Sequence, residues 1–130
     1  MKSTLIAILA LAASVLAAPA VEKRQADAIT FSVINDNSGH NAPATISVDN
    51  TEYSFASLFG NSVLASGGIV SASTAQLVAN PQNLYFECDI VLDGTTIGVL
   101  TQDQTFANFN GQGNPTQVID VTDAVIICEL

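Results

Sequence analysis

The sequence predicts an all-β domain: a small sandwich or barrel of about six to eight short antiparallel strands, closed by one disulfide. Three observations carry this prediction. Apolar residues recur with a period of two over most of the chain after Arg24. Turn-forming pairs, Asp93-Gly94 foremost, separate the alternating runs. The two cysteines, Cys88 and Cys128, each fall on the inward parity of their own run.

In chain order, Ile29-Thr30-Phe31-Ser32-Val33 alternates as a first strand. Residues Asn35 to Pro43 are turn formers and read as a polar loop carrying the lone histidine, His40. Thr45 to Phe55 reads as a hairpin about Asp49-Asn50, with Ile46 opposite Tyr53. Ile69 to Ala79 reads as a long small-residue strand or a short helix. Ser71, Ser73 and Thr74 favour the strand, and Pro81 ends it.

Leu84, Phe86, Cys88, Ile90 and Leu92 alternate with Asn83, Tyr85, Glu87, Asp89 and Val91, as a half-buried strand should. Folding back symmetrically across Asp93-Gly94 sets Ile90 opposite Ile97 and Cys88 opposite Val99, with Gly98 outward beside Asp89. Asn108 to Pro115 is a second polar loop. Ala124 to Cys128 is apolar on both parities, which marks a central strand, with Cys128 sharing a face with Ile126 and Leu130.

The N-terminus is of another kind. Lys2 precedes the apolar run Leu5 to Ala13, and Val15 and Ala17 fit the small-residue rule for cleavage after Ala17. Residues 1–17 thus read as a signal peptide. The run is short and alanine-rich for a membrane span. Residues 18–24 end in Lys23-Arg24, a dibasic pair that reads as a processing site, leaving residues 25–130 as one mature β-rich domain. A secreted domain with two cysteines is expected to join them, Cys88 to Cys128, for about 3–4 kcal/mol in the chain-entropy model.

Lys2, Lys23 and Arg24 are the chain's only basic side chains apart from His40, whereas eleven of its twelve carboxylates follow Arg24. So acidic a surface repels nucleic-acid phosphates and anionic membranes, and neither is expected as a partner. It also excludes catalysis and anion recognition by lysine or arginine. Disorder, the ordinary reading of strong net charge, does not suit a remainder rich in periodic Val, Ile, Leu, Phe and Ala.

Catalytic patterns are sparse. His40 has no Gly-x-Ser-x-Gly elbow to serve, and there is no Asp-Thr-Gly. A carboxylate-based hydrolase would draw on Glu87 with Asp89, or on Asp120 with Asp123. The first pair is expected on a solvated face, so catalytic residues are expected to be none and cofactors none. Calcium is the one candidate metal, through the oxygen-rich turn at Asp36 and Asn37 with Asp120 or Asp103 completing the set. Tyr85 and Phe109 are the candidate platforms for a glycan.

The leader phrase Ala-Pro-Ala-Val-Glu-Lys-Arg-Gln resembles the pre-pro segments of small secreted proteins of filamentous ascomycete fungi. Gly68-Ile69-Val70-Ser71-Ala72, Cys88-Asp89-Ile90-Val91 and Val125-Ile126-Ile127-Cys128 resemble segments of their hypersensitive-response-inducing elicitors and effectors. The sparse catalytic patterns make a non-enzymatic protein the expectation, and the resemblance implies a secreted, extracellular or cell-wall-associated protein that recognises a host or fungal cell-wall component. It transfers no site residues. The alternatives are a cell-wall structural protein and a small calcium- or glycan-binding module.

Overall fold

A computed structural model describes residues 27–110 and 117–130. The leader, with Ala17, Lys23 and Arg24, and most of the second polar loop lie outside them.

The first strand is β1 (Ala28–Asn35), and it folds back into β2 (His40–Ser47) across a turn at residues 36–39. The loop expected to reach Pro43 is therefore four residues long. His40 opens β2, paired with Asn35, and Pro43 lies within the strand opposite Ser32. Proline is tolerated there because β2 is an edge strand.

β3 (Glu52–Ser54) follows, and Ser54 caps the short helix α1 (Phe55–Phe59) by accepting the Ser57 N–H. The hairpin expected about Asp49-Asn50 does not form. The turn is real, with Asn50 at φ 70°, but its two sides join different sheets. β2 takes the full eight-residue ladder with β1, and β3 takes the strongly apolar C-terminal strand. A three-residue strand cannot compete for β2 against that ladder. Only the Tyr53 hydroxyl still reaches back, accepting the Ser47 N–H at 3.3 Å.

The segment from Ile69 is extended, as its serines and threonine favour, but it is broken at Ser73 into β5 (Ile69–Ala72) and β6 (Thr74–Ala79). β5 pairs with β4 (Ala65–Ser66) and with β10 (Ile119–Asp120), while β6 pairs with β1. One nearly continuous run thus serves two sheets. Its hinge residue, Ser73, is fully buried, donating its N–H to the Ile34 carbonyl and accepting the Phe109 N–H at its own.

β7 (Glu87–Leu92) and β8 (Thr95–Thr101) flank Asp93-Gly94, both at positive φ as this turn requires. β7 begins at Glu87, later than the alternation from Leu84 suggests, because the Asn80 side chain brackets Leu84 through both its N–H and its carbonyl. The symmetric register is also corrected. A bulge between Ile90 and Val91 shifts the ladder, so Ile90 faces Gly98, Cys88 faces Leu100, and Val99 faces Asp89. Gly98 consequently turns inward.

β9 (Phe106–Asn108) and β11 (Val125–Glu129) complete the chain. Two four-stranded sheets, ordered β9-β6-β1-β2 and β3-β11-β7-β8, and the small sheet β10-β5-β4 enclose one core. This is an all-β, sandwich-like fold, and β11 is central to its sheet as its apolar composition predicts. Among the described residues, seven of the eleven strands have four or more residues, which agrees with the expected number.

In the core, Phe31 meets Phe59 edge-on at 5.8 Å, and Phe55 meets Phe59 at 5.2 Å. Cys88 and Cys128 stand directly opposite one another on β7 and β11, bonded and fully buried. Leu130, beyond the end of β11, is exposed rather than sharing their face.

Candidate functional site

Turns hold some of the polar residues singled out in the sequence, Asp36 and Asn37 among them. After β1, the Asn35 side-chain carbonyl accepts the N–H groups of Asn37 and Ser38, which curls the chain toward β2. Asp36 points the other way, across to the hinge of β5 and β6. Its Oδ2 accepts hydroxyls from Ser73 at 2.7 Å and Thr74 at 2.8 Å, and its N–H donates to the Ser73 hydroxyl at 2.9 Å. Ser73 and Thr74 are both fully buried, so this clasp fastens an exposed turn to the core.

Asp120 accepts the backbone N–H and hydroxyl of Thr122, and the hydroxyl of Thr122 in turn accepts the Val70 N–H. Hydrogen bonds from the Thr122 hydroxyl and then its N–H hold the Asp120 carboxyl below its ordinary value. Asp49 is lowered in the same way by the Thr51 hydroxyl and N–H.

Of the calcium candidates, Asp36 lies in the β1–β2 turn and Asp120 ends strand β10. Asn35 Nδ2 reaches the Ser71 carbonyl at 3.5 Å, and Ser71 pairs with Asp120. A cation at Asp36 Oδ2 would have to displace Ser73 and Thr74. Asn37 contributes its backbone N–H to the turn. Among the described residues no group of three or more His, Cys, Asp or Glu side chains could hold a metal ion.

His40 is exposed at the start of β2, and its N–H donates to the Ser38 hydroxyl. Glu87 and Asp89 project from the outer face of their sheet, alternating with buried Cys88 and Ile90. Glu129 stands opposite Glu87, and Glu52 and Asp89 stand on either side of Ile127. These four carboxylates share the outer face of an open sheet.

The two aromatic candidates separate. Tyr85 is 77% exposed. Phe109 is buried, its ring 6.4 Å from Phe55, so it is a core residue and not a surface platform. The strand ends at Asn108, and the alternation that would have placed Phe109 ends with it.

The sheet β9-β6-β1-β2 contains no carboxylate in any of its strands. Its outer face carries the row Phe106, Gln76, Ser32 and Pro43, in register from edge to edge. Next to this row the Thr30 and Thr45 hydroxyls meet at 2.7 Å. Sequence reasoning missed this face, although its signal is plain: strands free of Asp and Glu in a chain otherwise strewn with them.

Among the described residues no helix is long and apolar enough to cross a membrane. No protein-family model matches the chain, and no curated protein or solved structure matches it either.

Proposed function

We propose that this chain is a non-enzymatic extracellular protein that acts by recognition, in the manner of a small secreted fungal elicitor or effector. One observation supports the reading most: two of its candidate carboxylates and both of its thiols serve as fasteners. Asp36 fastens the β1–β2 turn to Ser73 and Thr74, Asp120 closes on Thr122, and the thiols are joined to each other. A buried disulfide between central strands suits an oxidising compartment. The signal-like leader and dibasic pair add to that reading.

The test is fractionation of culture filtrate against cell wall, with the intact mass of each pool, followed by infiltration of the purified protein into leaf tissue. The expected product is a secreted form that begins at Gln25, carries the disulfide and elicits a response unchanged by H40A. Retention inside the cell with free thiols would overturn the reading. So would hydrolysis of a polysaccharide or peptide that one substitution at His40, Glu87 or Asp89 abolishes. Protein found only with the wall and released by glucanase or reductant would favour a wall structural role.

A further inference from the structure

Glu129 of β11 stands directly opposite Glu87 of β7. The row beside them runs Glu52, Ile127, Asp89 and Val99, from edge to edge of β3-β11-β7-β8. Like charges that face one another across a ladder repel, and the described residues contain no lysine or arginine to lie between them. Ile127 and Val99 are half-buried among the carboxylates, so the face is an apolar strip with an acidic border. The chain's basic side chains other than His40 are Lys2, Lys23 and Arg24, all of them before the first described residue, Asp27.

Asp27 enters the fold at a corner of this same sheet. Its carbonyl accepts the Val48 N–H, and two residues further on the Asn50 N–H donates to the Cys128 carbonyl. Glu129 follows Cys128, and Glu52 opens β3 two residues after Asn50. Gln82 holds the entry point in place: its Nε2 donates to the Asp27 carboxylate at 3.3 Å and its side-chain carbonyl accepts the Ala28 N–H. Arg24 precedes Asp27 by three residues, about 10 Å of extended backbone. That length, with an arginine or lysine side chain added, spans from Asp27 to the Glu52–Glu129 corner.

From this placement we propose that, in the uncut chain, Lys23 and Arg24 fold back onto the outer face of β3-β11-β7-β8 and pair with Glu129, Glu87 and Glu52. Charge complementarity selects this occupant, since the basic pair and the acidic border belong to one chain and lie at one corner of it. Tethering adds to it, because so short a linker holds the pair near the face at an effective concentration on the order of millimolar. Docked, the two cations relieve the Glu87–Glu129 repulsion and cover the face. A cut after Arg24 releases them and bares it. The proposal goes beyond the recognition reading and does not depend on it.

The test uses the full chain at low ionic strength. A carbodiimide joins a lysine amine to a carboxylate in contact with it, and Lys2 and Lys23 are the only lysines. An intramolecular crosslink from Lys23 to Glu129, Glu87 or Glu52 is expected, located by mass spectrometry. Trypsin should cut after Arg24 about two- to tenfold more slowly than in a free peptide of residues 18–26, the effect of two exposed ion pairs. Molar salt should remove that difference, and so should E87Q combined with E129Q. D93N, at the far end of β7, should leave it unchanged. Thermal unfolding of each variant shows that the fold is intact, as the exposure of Glu87 and Glu129 predicts.

Lys23 crosslinks spread as readily to Asp93 as to the three glutamates would overturn the proposal. So would slow cutting that salt leaves intact, because that is the effect of a nearby folded domain alone. Lys23 joined to a second molecule, seen as a doubled mass, would give the face to another copy and equally overturn it. A melting temperature raised by calcium and insensitive to it in E87Q with E129Q, without the crosslink, would give the face to a metal ion instead. Leaf infiltration bears on the recognition reading alone, so a missing crosslink and a missing response are separate failures.

Discussion

The carboxylate of Asp36 accepts the hydroxyl of Ser73 at 2.7 Å, across 37 positions of sequence, and the backbone N–H of Asp36 donates to the same hydroxyl oxygen. An exposed turn is thereby tied to the hinge at which one strand passes from the small sheet to a large one. Removing the buried hydroxyl leaves both Asp36 groups without it. S73A should cost about 1–3 kcal/mol, read as a lowered urea midpoint. Because the partners act together, D36A combined with S73A should cost less than the two singly added. Full additivity would show that the clasp contributes nothing as a unit.

Gly98 faces the seam between the two large sheets. A β-carbon there would stand 3.0 Å from the Ala107 Cβ and 3.6 Å from the Phe109 ring. G98V should therefore destabilise by about 1–3 kcal/mol through overpacking, seen as a lower melting temperature. A107G should recover part of the loss by making room. Recovery by a distant small-residue change, and not by A107G, would contradict this account of the seam.

The Cys88–Cys128 bond spans a sequence separation of 40. Replacing both cysteines with alanine should lower stability by about 3–4 kcal/mol while leaving the far-ultraviolet circular dichroism that of a β protein. The C88A single variant should fare worse, because it leaves a lone thiol in the core and opens a route to mixed disulfides.

Asp49 and Asp120 have folded-state values below the ordinary 3.8. Each stabilises the fold above that ordinary value, and its contribution is lost as pH falls through the lower folded value. Urea midpoints of D49N and D120N should thus lie below that of the unsubstituted protein by a constant amount from neutral pH down to the carboxylate range. The gap should close in stronger acid. A gap that instead opened on acidification would have the wrong sign for a carboxylate held ionised by hydroxyl and N–H donors.

Local periodicity made several features legible beforehand: the first strand, the Asp93-Gly94 turn, the central position of β11 and the pairing of the thiols. Each depends on residues close in sequence or on parity within one strand. What sequence did not show depends on competition between distant segments. Asp49-Asn50 is a sound turn, but whether its flanks pair depends on the ladders that β1 and β11 offer. Parity also carried Gly98 to the wrong side, because one bulge reverses the facing of all that follows. It could not separate Phe106 from Phe109, because the strand ends between them, and the exposed ring is Phe106. The clasp at Asp36 joins residues whose nearness is created only by the fold.

Pro43 has a further consequence. It interrupts β2, the free edge of a four-stranded sheet, with a residue that has no backbone N–H to give. That edge of the sheet is thus hindered from growing by strand addition into fibrils, a hazard of any fold rich in strands.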